Sequence, residues 1–154
     1  MISEKDAEII SQLRKNARKK ITAISKEMKM PVTTIYDKLR VHEKKYVDRH
    51  TTLLDFSKLG MHSKASIAIA CDRDSRTGLQ DFLMKSPNVN SLYKTNHLHD
   101  FVAEVVFKDI GQLHRFTENI EMKFQVTNLY IFSIIEELKK EGFLTSPDHR
   151  LILD

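Results

Sequence analysis

Residues 22–44 read TAISKEMKMPVTTIYDKLRVHEK, with apolar side chains at helical spacing on both sides of a proline. This spacing predicts a short helix over about 22–28, a tight turn over 29–32, and a second helix over about 33–44 that starts at one of its two threonines. The first of these helices is too short to be stable alone, so packing against its neighbours must hold it.

A longer helix is predicted upstream, over about Ser3–Lys15. Ser3 is a suitable N-cap, and acidic residues follow it in the first turn, where the helix dipole favours them. Ile9, Ile10 and Leu13 supply an apolar stripe. Two short helices joined by a tight turn after a longer helix are typical of the helix-turn-helix, whose second helix enters the major groove of DNA.

The last of the three helices has two different sides. Ile35, Leu39 and His42 share the side that faces inward, and polar or charged residues occupy the other. Threonines near the helix start suit bases and phosphates, whereas Arg40 and Lys44 suit phosphates. Asp37 would accept a hydrogen bond from a cytosine amino group or orient a neighbouring side chain. The residues that we expect to contact DNA are Arg18, Lys19, Lys20, Thr22, Thr33, Thr34, Tyr36, Asp37, Lys38, Arg40, Lys44 and Arg49.

The segment after this helix, residues 46–54, alternates apolar and polar residues. The alternation predicts a short β-hairpin wing, which would place Arg49 and His50 beside the sugar-phosphate backbone. The N-terminal part is therefore predicted to be a winged helix-turn-helix over residues 1–52. The alternative is a three-helix bundle that contacts another protein.

Charge is unevenly distributed along the 154 residues. The total is +4, but residues 1–60 hold 14 Lys/Arg against 8 Asp/Glu, whereas residues 61–154 hold 11 against 13. All of the positive excess lies in the predicted helix-turn-helix, as expected of a segment that binds a polyanion attached to a domain with another role. Chance clustering on a solvated surface is the alternative.

From residue 63 onward the apolar period changes. Strands are predicted at 63–71, 89–94, 101–107 and about 126–134, and helices at 76–85 and about 110–124. The order β-α-β-β-α-β is ferredoxin-like, so the predicted class is α+β. We expect a connector over 53–62 and an effector and oligomerisation domain over 63–154.

The last predicted strand is apolar on both sides. Val126, Tyr130 and Phe132 are predicted on one face, and Leu129 and Ile131 on the other. A sheet of this type carries its helices on one face, so the other face must be covered. A homodimer is the favoured explanation; a monomer covered by its own tail, residues 136–154, is the alternative. Leu138, Phe143 and Leu144 suit an amphipathic helix, and Leu151 and Ile152 an edge strand, but the sequence does not decide the tail's conformation.

Composition limits the other classes of function. Hydrophobic residues make up 41% of the chain and Cys71 is the single cysteine, which fits a globular protein of the reducing cytoplasm. No signal peptide or membrane span is expected. The sequence contains no Walker loop, dinucleotide-binding glycine motif or nucleophile elbow, and Cys71 has no basic partner in sequence. We therefore expect no enzyme activity and no cofactor.

A histidine-rich turn, Thr95-Asn96-His97-Leu98-His99-Asp100, separates two predicted strands. Two histidines one residue apart beside a carboxylate are compatible with Zn²⁺ or Ni²⁺. No cysteine lies near this turn in the sequence, so the favoured interpretation is a polar loop without a metal.

The ordered set of these features resembles the Lrp/AsnC (feast/famine) family of transcriptional regulators over nearly the whole chain. The residues that carry the resemblance are Asp6–Leu13, Asn16–Arg18, Ile24–Glu27, Thr33–Ile35, Lys38-Leu39, Leu54-Asp55, Leu59-Gly60, Pro87–Val89 and Asp100-Phe101. The resemblance implies a homodimer that can join into tetramers or octamers, binding to double-stranded DNA, and an amino-acid effector near the turn between the second and third strands.

Three positions depart from the family pattern. His42 replaces a leucine, Tyr46 replaces a glycine, and the Thr-Gly of the effector turn is Thr95-Asn96 with one extra residue before Asp100. Asparagine tolerates the left-handed conformation, so the turn can be kept. The tentative effector-binding residues are Thr95, Asn96, His97, His99 and Asp100, with Asp100 as the acceptor for the ligand's ammonium group.

Two other functions fit the same sequence. One is an architectural protein that coats DNA with low specificity and binds no ligand. The other is a metabolic sensor that acts by protein contact and carries a degenerate DNA-binding module.

Overall fold

In the computed structural model, which describes residues 2–145, the chain forms two compact units. The first contains residues up to Leu53 and, in the described part of the chain, those from Leu138; the second is Leu54–Glu137. The start of the tail thus groups with the N-terminal helices, whereas the sequence analysis assigned it to the predicted domain 63–154. The predicted edge strand at Leu151 and Ile152 lies outside the described residues.

Three helices form the first unit: α1 (Glu4–Lys15), α2 (Ile21–Met28) and α3 (Val32–Lys45). The Ser3 hydroxyl accepts a hydrogen bond from the Asp6 N–H at 3.2 Å, which confirms Ser3 as the N-cap of α1. Ile9, Ile24, Ile35 and Leu39 pack together as its core. The predicted helix-turn-helix is therefore present, with α3 as the second of its two short helices.

The predicted wing was wrong. Residues 47–54, all of them described, contain no strand and are almost entirely exposed. Alternating side chains stabilise a strand only when a partner strand pairs with its backbone, and this segment pairs with no strand in the described chain. Arg49 and His50 accordingly lie on an irregular segment rather than on a hairpin.

The second unit is a four-stranded antiparallel sheet with two helices. Its elements are β1 (Ser63–Cys71), α4 (Arg76–Lys85), β2 (Val89–Lys94), β3 (Phe101–Phe107), α5 (Ile110–Lys123) and β4 (Val126–Ser133). The strand order is β2-β3-β1-β4, so the two central strands are the first and the third in the chain. The predicted α+β, ferredoxin-like order is confirmed.

The core of this unit lies on one side of the sheet. Alternate residues of β1 and β3, among them Ile67, Ile69 and Phe101, pack with residues of α4 and α5 such as Leu79 and Leu113. The period of two along each strand sends the remaining side chains to the opposite face, which we call the outer face. The outer face has no helix over it within the described unit.

One residue of β4 lies on a different face from the one predicted. Opposite Ala70 and Cys71 the pairing register of β4 shifts, so that Cys71 pairs with Val126. Val126 therefore packs against the core together with Leu129 and Ile131. A bulge adds one residue to one strand and reverses the alternation beyond it, which period counting alone does not reveal.

The described tail, residues 134–145, contains no helix. The amphipathic helix that Leu138, Phe143 and Leu144 suited is therefore absent from this part of the chain. Leu144 is nevertheless buried, with 7% of its surface exposed, while Leu138 and Phe143 remain exposed. Within residues 2–145, no helix is long and apolar enough to cross a lipid bilayer.

Candidate nucleic-acid interface

The solvent-facing side of α3 carries five of the twelve residues predicted to contact DNA. Ile35, Leu39 and His42 are buried, as predicted. The opposite side exposes Thr33, Tyr36, Asp37, Arg40 and Lys44, and Thr34 is half-buried. This side of the helix presents hydroxyl, carboxylate and cationic groups, which are the groups that read base edges and bind phosphates.

The turn between α2 and α3 fixes where α3 begins. Lys29 adopts the left-handed conformation, with φ 51°, and ends α2. The Ser25 hydroxyl donates a hydrogen bond to the Met30 carbonyl at 2.5 Å, which holds the turn from inside. Pro31 then precedes the first helical residue, Val32, so α3 starts one residue earlier than predicted. The turn leaves Val32 and Thr33, at the start of α3, exposed to solvent.

Other predicted contact residues surround this helix. Lys20 directly precedes α2, and Thr22 lies in its first turn; both are exposed. Arg18 is exposed in the loop before α2, and Arg49 is exposed in the irregular segment after α3. Arg18, Lys20 and Thr22 therefore lie in the loop before α2 and in the first turn of that helix.

Two lysines from the predicted set are engaged inside the unit. The Lys19 ammonium lies 2.6 Å from the Gln12 amide oxygen and 2.7 Å from the Glu27 carboxylate. The Lys38 ammonium lies 2.6 Å from the Asp6 carboxylate. These contacts link α1 to α2 and α1 to α3, so both lysines hold the helices together.

Asp6 connects α1 to α3 through two residues one helical turn apart. Its Oδ1 lies 2.6 Å from the Lys38 ammonium and 3.1 Å from the Nε2 of His42. His42 is 3% exposed, and its Nδ1 has no hydrogen-bond partner among the described residues. The Asp6 carboxylate thus satisfies a buried ring nitrogen and fixes the rotation of α3 about its axis.

The charge of Asp6 is strongly favoured. Burial acts to raise the pKa of Asp6, but hydrogen bonds from Lys38 and Ser3 outweigh it. Together with the positive charge of Lys38 and the electrostatic effect of His42, they lower the pKa of Asp6 from 3.8 to about 2. The carboxylate therefore stays ionised under all ordinary conditions.

The sequence analysis did not identify Asp6 as a residue that positions α3. The available signal was His42, a polar residue in an otherwise apolar stripe, because a buried polar group needs a partner. Choosing Asp6 among the acidic residues of α1 required knowing how α1 and α3 pack.

The turn between β2 and β3 is the second candidate site. Thr95, Asn96 and His97 are exposed, and His97 adopts the left-handed conformation, with φ 80°. The Thr95 hydroxyl donates to the His99 carbonyl at 2.7 Å. The His99 ring meets Tyr130 edge to face at 5.4 Å, and its Nε2 is buried with no partner in the described chain.

Asp100, at the end of this turn, has two structural partners. One carboxylate oxygen accepts the Cys71 N–H at 2.9 Å, and the other lies 2.8 Å from the Nε of Arg76. Asp100 thus joins the turn to the end of β1 and the start of α4, a role that the sequence analysis did not anticipate. Among the described residues, no group of three or more His, Cys, Asp or Glu side chains is arranged to hold a metal ion.

Solved structures of other proteins share this architecture. A transcriptional regulator from Neisseria meningitidis, solved as a complex with L-Met, superposes with a TM-score of 0.86 at 18% identity, covering 98% of this chain and 99% of that one. An AsnC family transcriptional regulator from Agrobacterium tumefaciens gives 0.78 at 17% identity, covering 90% and 94%. The chain has the fold of the Lrp/AsnC regulators.

Sequence comparison gives the same relationship. An uncharacterised HTH-type transcriptional regulator from Pyrococcus abyssi is 25% identical over 150 residues, which covers 96% of this chain and all of that protein. The glutamate uptake regulatory protein of Zymomonas mobilis is 23% identical over 147 residues, covering 93% and 90%. No family model matches the chain. The resemblance to the Lrp/AsnC regulators therefore extends over both compact units.

Replacing Asp6 by Asn should lower the free energy of unfolding by about 2 kcal/mol at neutral pH, because about two units of pKa depression are lost. The lowered pKa of Asp6 stabilises the folded protein at pH values above 3.8. This contribution is lost as the pH falls toward 2. The difference between wild type and Asp6→Asn should therefore shrink over that interval. Urea unfolding followed by helical circular dichroism measures it.

Asp37→Asn is the matched control for this prediction, because Asp37 is exposed on the other side of α3. We expect a change within about 0.5 kcal/mol for it. Equal stability of wild type and Asp6→Asn at neutral pH would contradict the positioning role of Asp6.

Proposed function

We propose that the chain is a cytoplasmic, sequence-specific DNA-binding transcription regulator that assembles through its C-terminal unit and responds to an amino acid or a related small effector. The observation that carries the proposal is the exposed side of α3, which presents Thr33, Tyr36, Asp37 and Arg40 on a helix whose other side is fully buried. Whole-length similarity to regulators supports it.

The electrostatics of the first unit support DNA as the partner. Arg18, Lys20, Arg40, Lys44 and Arg49 are exposed. No ion pair within residues 2–145 involves any of them, so their charge is available to neutralise phosphates. Lys19 and Lys38 have internal carboxylate partners, and we assign them to the fold of the unit rather than to phosphate contacts.

Replacing Arg40 by Ala should weaken binding to all DNA sequences and reduce the slope of log affinity against log salt by about 1, because one phosphate contact is lost. Tyr36→Ala should instead change the sequence preference. Arg115→Ala is the matched control, since Arg115 is an exposed arginine of α5 in the other unit. Titrations of labelled DNA at several salt concentrations measure these effects.

Equal affinity of wild type and an Arg18/Arg40/Lys44 triple alanine variant would contradict DNA binding by this surface. Footprinting separates a regulator from an architectural protein: discrete protected half-sites support the proposal, and continuous protection supports the architectural alternative. Absence of salt-sensitive DNA affinity would indicate a sensor that acts by protein contact.

Assembly through the outer face of the sheet is the second part of the proposal. Tyr130 and Phe132 lie on this face with 47% and 57% of their surface exposed, and their rings stack at 6.3 Å. Ala68, which pairs with Tyr130 on the same face, is buried. Large exposed aromatic side chains on a sheet face that no helix covers favour contact with a second copy of the chain.

Phe132→Asp should convert the oligomer to monomers or to insoluble protein, because an unpaired carboxylate in a buried interface costs several kcal/mol. Met122→Asp adds the same charge to α5, where Met122 is 87% exposed, and should leave the assembly unchanged. Sedimentation velocity measures the mass. A wild-type monomer at micromolar concentration would refute assembly through this face.

Effector binding at the β2–β3 turn is the third part. Asn96 and His97 are exposed there. Asp100 uses two of roughly four acceptor positions of its carboxylate, which leaves capacity for an ammonium group. The similar regulator from Neisseria meningitidis was solved as a complex with L-Met, which supports an amino acid as the class of ligand.

His97→Ala should weaken amino-acid binding about tenfold, because a donor to the ligand carboxylate is lost. His114→Ala, an exposed histidine of α5, is the control. Asp100→Ala is a poor test, since it also removes the bond to the Cys71 N–H and would weaken the sheet edge. Calorimetry with each of the twenty amino acids measures binding; no heat with any of them would give the turn a purely structural role.

A further inference from the structure

The first two turns of α3 expose apolar side chains on the side proposed to face DNA. Val32, the first residue of the helix, is 45% exposed, and Tyr36, one turn later, is 54% exposed. Residues four positions apart are neighbours on one side of a helix, so these two side chains form a small apolar patch. Thr33 and Asp37, which are also exposed, lie beside it. Val32 was not among the residues predicted to contact DNA.

The apolar patch is held in place from the opposite side of α3. Ile35 and Leu39 pack into the core of the three helices, and the Lys38 ammonium lies 2.6 Å from the Asp6 carboxylate of α1. Val32 is β-branched, and a β-branched side chain in a helix has one strongly preferred rotamer. The methyl groups of Val32 therefore occupy a defined position and lose little conformational entropy when a ligand covers them.

The same two turns of α3 offer little positive charge. Residues 32–39 contain one basic residue, Lys38, and its ammonium is engaged with Asp6. The exposed cations of α3 begin further along the helix, at Arg40. Guanine is read most often by an arginine or a lysine, and the residues at the start of a recognition helix are those that reach the base edges. The start of α3 is therefore poorly suited to guanine.

Thymine suits the apolar patch. Its C5-methyl group lies in the major groove and distinguishes thymine from the other three bases there. Contact with an aliphatic side chain or an aromatic ring removes that methyl group from water, which is favourable. The hydroxyls of Thr33 and Tyr36 are donors that suit the O4 acceptor of the same base. The start of α3 thus combines an apolar surface with donors, as thymine recognition requires.

We propose that Val32 and Tyr36 contact the C5-methyl groups of thymines in the major groove, so that thymines determine which sequence α3 selects. This recognition rests on the proposed binding of DNA through α3. It assigns the reading of bases to the apolar patch and leaves the phosphates to the exposed cations that follow it, Arg40 and Lys44.

Uracil in place of thymine tests the contact, because uracil lacks only the C5-methyl group and pairs with adenine in the same way. The full-length protein selects binding sites from two pools of random duplex DNA, one made with thymine and the other with uracil. A·T pairs should be enriched from the thymine pool and lose that enrichment in the uracil pool. In the duplex selected from the thymine pool, replacing one contacted thymine by uracil should weaken binding about fourfold, as expected for one methyl group removed from water.

Val32→Ala removes the methyl groups from the patch and should bind the thymine and uracil duplexes with nearly equal affinity at the base that Val32 contacts. Alanine is a good helix former, so the substitution keeps α3 intact. Val41→Ala is the matched control, because Val41 is a 57% exposed valine of the same helix, about two and a half turns beyond Val32. This control should keep the fourfold difference. Tyr36→Ala is the second variant and should lose the preference at a different thymine.

Equal affinity of the wild type for the thymine and uracil duplexes would overturn the proposal, as would an unchanged preference for thymine in both Val32→Ala and Tyr36→Ala. Failure of thymine recognition differs from failure of the proposed function. The same sequence enriched from both pools would overturn thymine recognition and leave sequence-specific DNA binding intact. No enriched sequence from either pool would overturn both.

Discussion

In the second unit, alternate residues of β1 and β3 lie beneath α4 and α5, and the apolar core that they form lies on one face of the sheet. This one-sided burial is the constraint on which the remaining features depend. It fits the order β2-β3-β1-β4, which puts the two strands with the most buried residues in the centre. It also leaves an outer face with aromatic residues on β4, which the proposed assembly would cover.

The first unit faces a different constraint, because three short helices bury little apolar surface. Four core residues hold them together, and polar links supplement the core: Lys19 joins α1 to α2, and Asp6 joins α1 to α3. These polar links use lysines that would otherwise be free for phosphate. Some basic residues hold the helices together and others face solvent. Those that face solvent form the proposed DNA surface.

Charged residues hold two irregular segments of the second unit against the rest of that unit. Asp100 ties the β2–β3 turn to β1 and α4, and Lys64 ties the segment after β4 to β1. The candidate effector turn and the segment directly after β4 are thus both anchored on β1, the central strand that pairs with β3 and β4. A change in β1 or in the strands beside it would reach both.

The sequence by itself determined the three helices, the four strands, the two helices over the sheet and their order, because apolar periods of 3.6 and 2 are local properties of the chain. It also located the exposed side of α3 and the inward side that contains His42. Tertiary structure alone decided the partner of each charge, as with Lys38 and Asp6, which are 32 positions apart. It also decided the missing wing, the bulge that turns Val126 inward, and the grouping of the start of the tail with the N-terminal helices. Each of these depends on contacts between residues distant in sequence, and such contacts leave no period in the sequence that could predict them.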